Sequence, residues 1–577
     1  MRRLTVIAPL LVALVIGVIV LSIAVPPAAR RLESLPPDPR EIAGAIHVHT
    51  AQSDGTGRVA DIAAAAARAG LKFVILTDHG DGTRVPLRPA YVAGVLCVDG
   101  VEISTAGGHY IALGLERAAP YRLAGEPRDV VADVARLGGF GIVAHPDSVK
   151  EELRWSAWGE PFDALEWLNA DSEWRDERSS AVAAAVLGYL FRGPETIASL
   201  FNRPRVLARL DAILQRRRVV ALAGHDAHAR IGLRGNWEPG AEDYSLSLPS
   251  YEAAFKSFAV RVQLDAPPTG DAERDAKLLL SALKAGHAYT AIDAQAGPPR
   301  LTFTASAPGI HASGGDDVVT TGPVTLEARV PDTPGVTLVL LRNGSVAATT
   351  QGPSLTYEHR PVESGIAVYR VEARLDSAKS AWRVPWIVSN AIRIAPEAPP
   401  RPVEPQLPPA EAVRRIPEDP KLNPWLVEHS KDSTGAIEPL PGRGVRLKYD
   451  LAGGSPRGQY AAAVLTFVPG TFEDWDRIRF RGQASNEMRL SVQVREPLKG
   501  RRWIRSVVLF PDAREITVRL DDMNVPEPEL AGKPPRRELA SILFVVDTTH
   551  TVPGTSGWVA IQDVRLEREA PVLRARP

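Results

Sequence analysis

The chain has 577 residues, with 68 Lys and Arg against 68 Asp and Glu, and a single cysteine. The length points to several domains. Zero net charge removes the electrostatic case for a nucleic-acid or acidic-polymer partner, and the lone Cys97 excludes both an internal disulfide and a thiolate metal site.

Residues 1–29 read as a targeting segment. Met1-Arg2-Arg3 is a positive start, and Leu4 to Val25 carries no charge. About 20 apolar residues span a bilayer, whereas the core of a cleaved signal is about 7–15. The expectation is a transmembrane signal anchor with the rest of the chain extracytoplasmic, in the periplasm or at the cell surface. Secretion after cleavage among the small residues Ser22–Ala29 is the alternative. Arg30 and Arg31 follow the run and weaken the orientation signal. Residues 30–41, with Pro36, Pro37 and Pro39, read as a stiff spacer.

From Ile42, strands and helices alternate. AIHVH is an apolar strand, and VADIAAAAARAG an Ala-rich helix ended by Gly70. LKFVILTDH, GVLCVDGVEIS and HYIALGL follow as strands, then a helix near 128–137. FGIVAHPD and FDALEWLN are strands, 175–217 is helical, and VVALAGHDAH is the last strong strand. This alternation argues for a parallel sheet or barrel.

His47 and His49 are two apart on a strand and share a face. Two imidazoles aimed at one point suit a metal ion, and Asp54 just beyond suits a second ion. Seven of the twelve histidines lie between 47 and 228, and six of those seven sit at or beside a strand end. An α/β barrel keeps its active site at the C-terminal strand ends. Some neighbours have simpler readings. His225 should point away from Asp226 and pack, Asp78 can orient His79, Asp147 can cap a helix, and His287 after Gly286 is structural. Asn169, Trp155, Trp158 and Trp167 line the site's mouth or are ordinary core and surface residues.

The ordered set HVHT…SDG, TDH, VEIS…GH, AHPD and GHDAH resembles the PHP (polymerase and histidinol phosphatase) superfamily of metal-dependent phosphoesterases, over roughly residues 42–295. The short spacing from Glu102 to His109 and the closing LLLSALKAGHAYTAID resemble its carbaryl-hydrolase-like branch. The resemblance implies a distorted (β/α)7 barrel with two to three divalent ions, Zn, Mn or Fe. It implies His47, His49, Glu102 and Asp226 around a first ion, Glu102 bridging to a second held by His109 and His145, and Asp54, His79 and His228 around a third. Glu102, Asp226 and His145 are the residues expected to carry catalysis. Two such ions can share a hydroxide and clamp the oxygens of an in-line displacement.

After Arg300 the runs shorten and alternate. VTLEARV, VTLVLLRNGSVAATT, AVYRVEARL and IVSNAIRI read as an immunoglobulin-like β-sandwich with an Asn343-Gly344 hairpin. Residues 396–412 are a Pro-rich linker. Residues 413–570 hold eight evenly spaced strand-like runs, a jelly-roll or galactose-binding-like sandwich. A carbohydrate is the candidate partner of that module if Trp425, Trp475, Trp503 or Trp558 is exposed for stacking, and core packing is the alternative. The expected organisation is an anchor (1–29), a spacer (30–41), a metallohydrolase barrel (42–298), an immunoglobulin-like sandwich (299–395), the linker and the C-terminal sandwich. The expected function is metal-dependent hydrolysis of a small-molecule or envelope-associated phosphoester. Hydrolysis of an ester or carbamate at the same site, or non-catalytic envelope or carbohydrate binding, are the alternatives.

Overall fold

The computed structural model describes residues 24–570 except 34–35, 203–204, 233–244, 247, 332, 362–364, 377–381, 399–406, 419–423, 455–457, 498–499 and 526–531. The chain divides into two compact units, residues 1–117 with 126–400, and residues 118–125 with 401–577.

In the first unit the strands that carry the site are β1 (Glu41–Val48), β2 (Phe73–Leu76), β3 (Val95–Thr105), β4 (Gly108–Leu113), β5 (Phe140–Val143), β6 (Ala164–Asn169), β7 (Val220–Gly224), β8 (Ala259–Gln263) and β9 (Ala288–Ala291). The α-helices among the described residues are α1 (Val59–Arg68), α2 (Pro127–Arg136), α3 (Ala170–Arg175), α4 (Ser179–Ser199), α5 (Val206–Leu214), α6 (Tyr251–Ser257) and α7 (Ala272–Ala285). β2, β5 and β7 are buried at every residue, which is why they are unbroken apolar runs rather than alternating ones. α1 buries Ile62, Ala63, Ala65 and Ala66. In α7, the Asp271 side chain accepts from the Glu273 and Arg274 amides, and Gly286 ends the helix at φ 73°.

β1, β2 and β3 run parallel, as do β5, β6 and β7. Between them β3, β4 and β5 are antiparallel. The first half of β1 pairs with β8. Its second half turns to the segment after β7: His225 N donates to Ile46 O at 2.8 Å, and His49 N donates to Ala227 O at 3.0 Å. The chain following β7 therefore returns against the strand that opens the unit.

Two expectations need correction here. The expected distorted (β/α)7 barrel followed by a separate sandwich is not what the unit shows; the described chain is mostly β-sheet with seven α-helices. Only Ala106 and Gly107 separate β3 from β4, leaving no room for a helix. Nor does the sheet stop at 298. β9 pairs antiparallel with Ile387–Ser389, and pairing continues through Ala367–Leu375 to Val336–Arg342 and Ile392–Ala395, in one sixteen-stranded sheet. Local patterning describes each strand but is blind to a partner about a hundred residues away. A four-stranded antiparallel sheet, with Thr302–Ala307 and Val324–Arg329 in its middle, packs Phe303, Leu326 and Ala328 into the same apolar cluster as Leu338, Tyr369 and Trp386.

The second correction concerns the membrane. Among the described residues no helix is long and apolar enough to cross one. The expected transmembrane helix, and the anchored location built on it, therefore find no support. The run from Leu4 on which they rested lies, up to residue 23, outside the described residues.

The second unit is built from two antiparallel sheets. One orders Thr434–Leu440, Gly444–Asp450, Ser556–Glu569, Arg477–Ala484 and Arg514–Arg519, with Ala410–Ile416 also on the long strand. The other orders Trp425–His429, Tyr460–Thr466, Ser541–Asp547, Met488–Arg495 and Arg502–Leu509. Their facing side chains, Leu447, Phe480, Val492 and Phe544 among them, form one core. Trp425 and Trp503 belong to it, Trp475 packs against it, and Arg446 lies over the Trp558 ring at 4.6 Å. Sugar stacking required one of these four to be exposed and free, with core packing the other reading. Two are instead buried and the others are engaged by the protein itself.

Candidate metal centre

β1 delivers His47 and His49, both fully buried. His47 sits where β1 leaves β8 for the segment after β7, and its φ is 65°. His145 (φ 28°) and Asp226 (φ 48°) share that left-handed backbone. For side chains of this size such a conformation costs about 1–3 kcal/mol each and persists only where the surroundings impose it.

The loop after β1 presents Asp54. It is held by Asp78, whose Oδ1 accepts from Thr50 N (2.8 Å) and Ser53 Oγ (2.6 Å), and whose Oδ2 accepts from Thr50 Oγ1 (2.8 Å). Asp78 thus fixes the loop rather than His79. His79 follows β2, β3 carries Glu102, β4 carries His109, and His145 follows β5. Asp226 and His228 follow β7.

These nine side chains converge. Glu102 is the hub. Its Oε1 lies 2.8 Å from both His109 Nδ1 and His145 Nε2, and its Oε2 lies 3.3, 3.2 and 3.3 Å from His47 Nε2, His49 Nε2 and His79 Nδ1. Asp226 Oδ1 lies 3.3 Å from His47 Nε2, 3.5 Å from His49 Nε2 and 3.6 Å from His228 Nδ1. Asp54 lies 3.2 Å from His49 Nδ1, 3.1 Å from His228 Nε2 and 3.6 Å from His79 Nε2. His49 and His228 stack at 4.2 Å.

The donor set fits divalent cations on three counts. Four groups have their ligand atoms within 4.8 Å of one another: His49, Asp54, His79 and His228; His47, His49 and Glu102; His47, His145 and Asp226; and His79, Glu102 and His109. The grouping differs from the implied one in that His145 falls with His47 and Asp226, and His79 falls in two groups. Next, His47 Nε2 and His49 Nε2 are buried without a hydrogen-bond partner, a costly state for a polar atom that nothing engages. Finally, several tautomers are set from outside. The Nδ1–H of His47 donates to Glu166 Oε1 (2.7 Å), that of His145 to Leu153 O (3.0 Å), and that of His228 to Asp226 O (2.8 Å). Each leaves an Nε2 lone pair facing the cluster.

The electrostatics agree. Burial alone pushes Glu102 and Asp226 upward, but the surrounding histidines more than reverse it and hold both well below the usual carboxylate range. Asp54 is held low in the same way, chiefly against burial, by His228, His49 and His79. Burial pushes His47 and His49 down, and the carboxylates raise them well above the ordinary histidine value. The pocket is organised to keep anions ionised around positive charge.

Other residues fall elsewhere. His225 stacks on Phe258 at 3.9 Å, its Nε2 donates to Phe258 O, and burial pushes it down to about 4; it is a packed neutral ring. Asp147 is exposed. Trp155 is buried against Tyr110. Trp167 is buried with its Nε1 donating to Thr290 Oγ1, and with Asn169 it lines a cavity that also takes in His145 and Glu166. Asn169 caps α3 by accepting from Ser172 N and donates to Glu166 Oε2 at 2.8 Å.

Glu166 is the residue sequence reasoning missed. It is 1% exposed, bonds His47, and through Oε2 also accepts from His145 N at 2.7 Å. The signal was a carboxylate inside the apolar run of β6, which is costly to bury without partners. Gly224 makes the room: a Cβ there would stand 1.8 Å from Glu166 Oε1.

No protein family matches the sequence, and no curated protein does. Among solved structures, a two-domain protein from Bacteroides vulgatus, described as containing a predicted PHP-like metal-dependent phosphoesterase, is similar at 14% identity over 64% of this chain and 100% of its own, with a TM-score of 0.29. A family 11 carbohydrate-binding module from Clostridium thermocellum is similar at 14% identity over 27% of this chain and 96% of its own, with a TM-score of 0.22. Likenesses this low carry no functional argument, so the reading of the site rests on its own geometry.

Proposed function

We propose that the chain is a metal-dependent hydrolase of phosphoesters. The observation that supports it most is the division of Glu102. One oxygen faces His109 and His145, the other His47, His49 and His79. A carboxylate shared this way suits adjacent cation positions. Zn²⁺, Mn²⁺ and Fe²⁺ are all compatible with a nitrogen-and-oxygen donor set. Divalent ions held there supply Lewis acidity and lower the pKa of an attacking water.

The chain's own groups do the rest. Glu102 and Asp226, both buried, would hold the cations and offset their charge. His145 is aimed by Leu153 O and held at its backbone amide by Glu166. Asp54, His79 and His228 sit nearer solvent, with His79 side chain 34% exposed, where a phosphoryl oxygen of the substrate would arrive. Several cation positions around one carboxylate suit a group with several anionic oxygens better than a carbonyl, which favours a phosphoester over an ester or carbamate.

The test uses purified full-length protein, its metal content measured, assayed on a chromogenic phosphomonoester, phosphodiester and carboxylate ester. Phosphoester turnover should track metal content, and Glu102→Gln should lose turnover and at least one metal per chain with the circular dichroism unchanged. Full metal content and normal turnover in that variant would overturn the assignment.

A further inference from the structure

A cavity of ≈ 150 Å³ opens beside the candidate metal ligands and has Asp226 and His228 in its lining. Its long wall is a stripe on α4: Val182, Ala185, Val186 and Leu190. These positions recur at helical spacing, so they form one face about 12 Å long at 1.5 Å per residue. α4 bends at Arg192, where φ is −146°, with Pro194 just beyond. Ile197 and Leu200 line the cavity from the far side of that bend. Val186 and Leu190 are 57% and 73% exposed, so the stripe is open to solvent along one side.

An open apolar trench bordered by candidate metal ligands has the usual form of a small-molecule site, in which apolar walls supply affinity and a few polar groups fix orientation. Its shape selects the occupant. It is lined mainly by aliphatic side chains, with Trp174, Tyr189 and Arg230 among them, and runs along a helix. We propose that the substrate is an amphiphilic phosphoester, whose phosphoryl group sits on the metal cluster and whose alkyl chain lies in this trench. The proposal rests on the phosphoester reading and adds the chemistry of the substituent.

The experiment titrates metal-loaded, full-length protein with methyl-, butyl- and octylphosphonate by calorimetry. Affinity should rise about two- to fourfold per methylene buried, giving octylphosphonate at least a hundredfold advantage over methylphosphonate. Val186→Asp, at an exposed position where folding is not at stake, should cut the octyl-to-methyl affinity ratio at least tenfold. Equal affinities across the series, or an unchanged ratio in the variant, would overturn the trench and leave the metal-site reading standing. Octylphosphonate binding that persists after metal removal would overturn the shared site. Failure of all three ligands to bind metal-loaded protein would bring down the phosphoester reading and this inference with it.

Discussion

Glu166 offers the sharpest test of how the cluster is held, because replacing it with Gln changes one atom and no candidate ligand. Its Oε2 accepts two hydrogens, from His145 N at 2.7 Å and Asn169 Nδ2 at 2.8 Å; its Oε1 accepts one, from His47 Nδ1 at 2.7 Å. In Glu166→Gln the single oxygen serves the two-donor side, and the amide NH₂ faces His47 Nδ1. Nδ1 must then accept, the ring proton moves to Nε2, and the lone pair that faces Glu102 and Asp226 is lost. The opposite rotamer sets the NH₂ against two buried donors, at about 1–3 kcal/mol for each bond lost. Loss of such an orienting partner lowers metal affinity about 10–100-fold, or about 1.4–2.7 kcal/mol. The assay is competition for Zn²⁺ or Mn²⁺ against a chromophoric chelator, with circular dichroism as the fold control. A folded Glu166→Gln protein with wild-type affinity would refute the claim that His47 is aimed through its Nδ1.

Other substitutions test the same frame. Gly224→Ala should lower metal affinity by a similar factor while touching no candidate ligand, because its Cβ displaces Glu166 Oε1; the chelator competition reads it. Arg370 donates to Asp211 at 2.7 and 2.9 Å and to Glu372 at 2.8 Å, all buried. Arg370→Met should destabilise the first unit by about 3–5 kcal/mol in urea unfolding, since it strands the buried Asp211 carboxylate and leaves Glu372 with Arg374 as its remaining cation. His287 Nε2 lies 2.9 Å from Asp316 Oδ1, and that bond raises its pKa. A raised histidine stabilises fully below the unfolded value of about 6.5, and the contribution is lost as pH rises through the higher folded value. The stability gap between wild type and His287→Ala should therefore shrink from about pH 6 to pH 8.5, and a gap that widened would contradict the pairing.

Strand geometry made the clustering of polar residues at strand ends legible, while the full set of nine candidate ligands came from the resemblance of the ordered motifs to the PHP superfamily. A polar residue at the end of an apolar run has few places to go, and five such ends in order pointed to one pocket. Glu166 was not legible in that way, since it sits within its strand and period-two reading assigns it to the core. Trp155 shows the converse: an aromatic upstream of a strand suggested a mouth, and packing against Tyr110 buries it instead. The left-handed backbone at His47, His145 and Asp226 is only weakly signalled by residue type, since His and Asp adopt it more readily than most side chains but glycine is the usual marker. The separation of a barrel from a sandwich failed for a different reason. Composition does change near residue 300, but hydrogen bonding does not stop there.

That unbroken sheet has a consequence for how the first unit opens. Backbone pairing runs without a seam from β1 to Ile392–Ala395, and Arg370 pins the later strands to α5 through Asp211. Units of this kind tend to unfold as one cooperative block, whose opening free energy any bound ligand raises. A cation present at a hundred times its dissociation constant adds about 2.7 kcal/mol. Slowly exchanging amides in Ile387–Ser389, which touch none of the candidate ligands, then become remote reporters of metal occupancy. A chain cut near residue 298 loses the strand that β9 pairs with, and with it part of the stability that keeps the distant histidines in register.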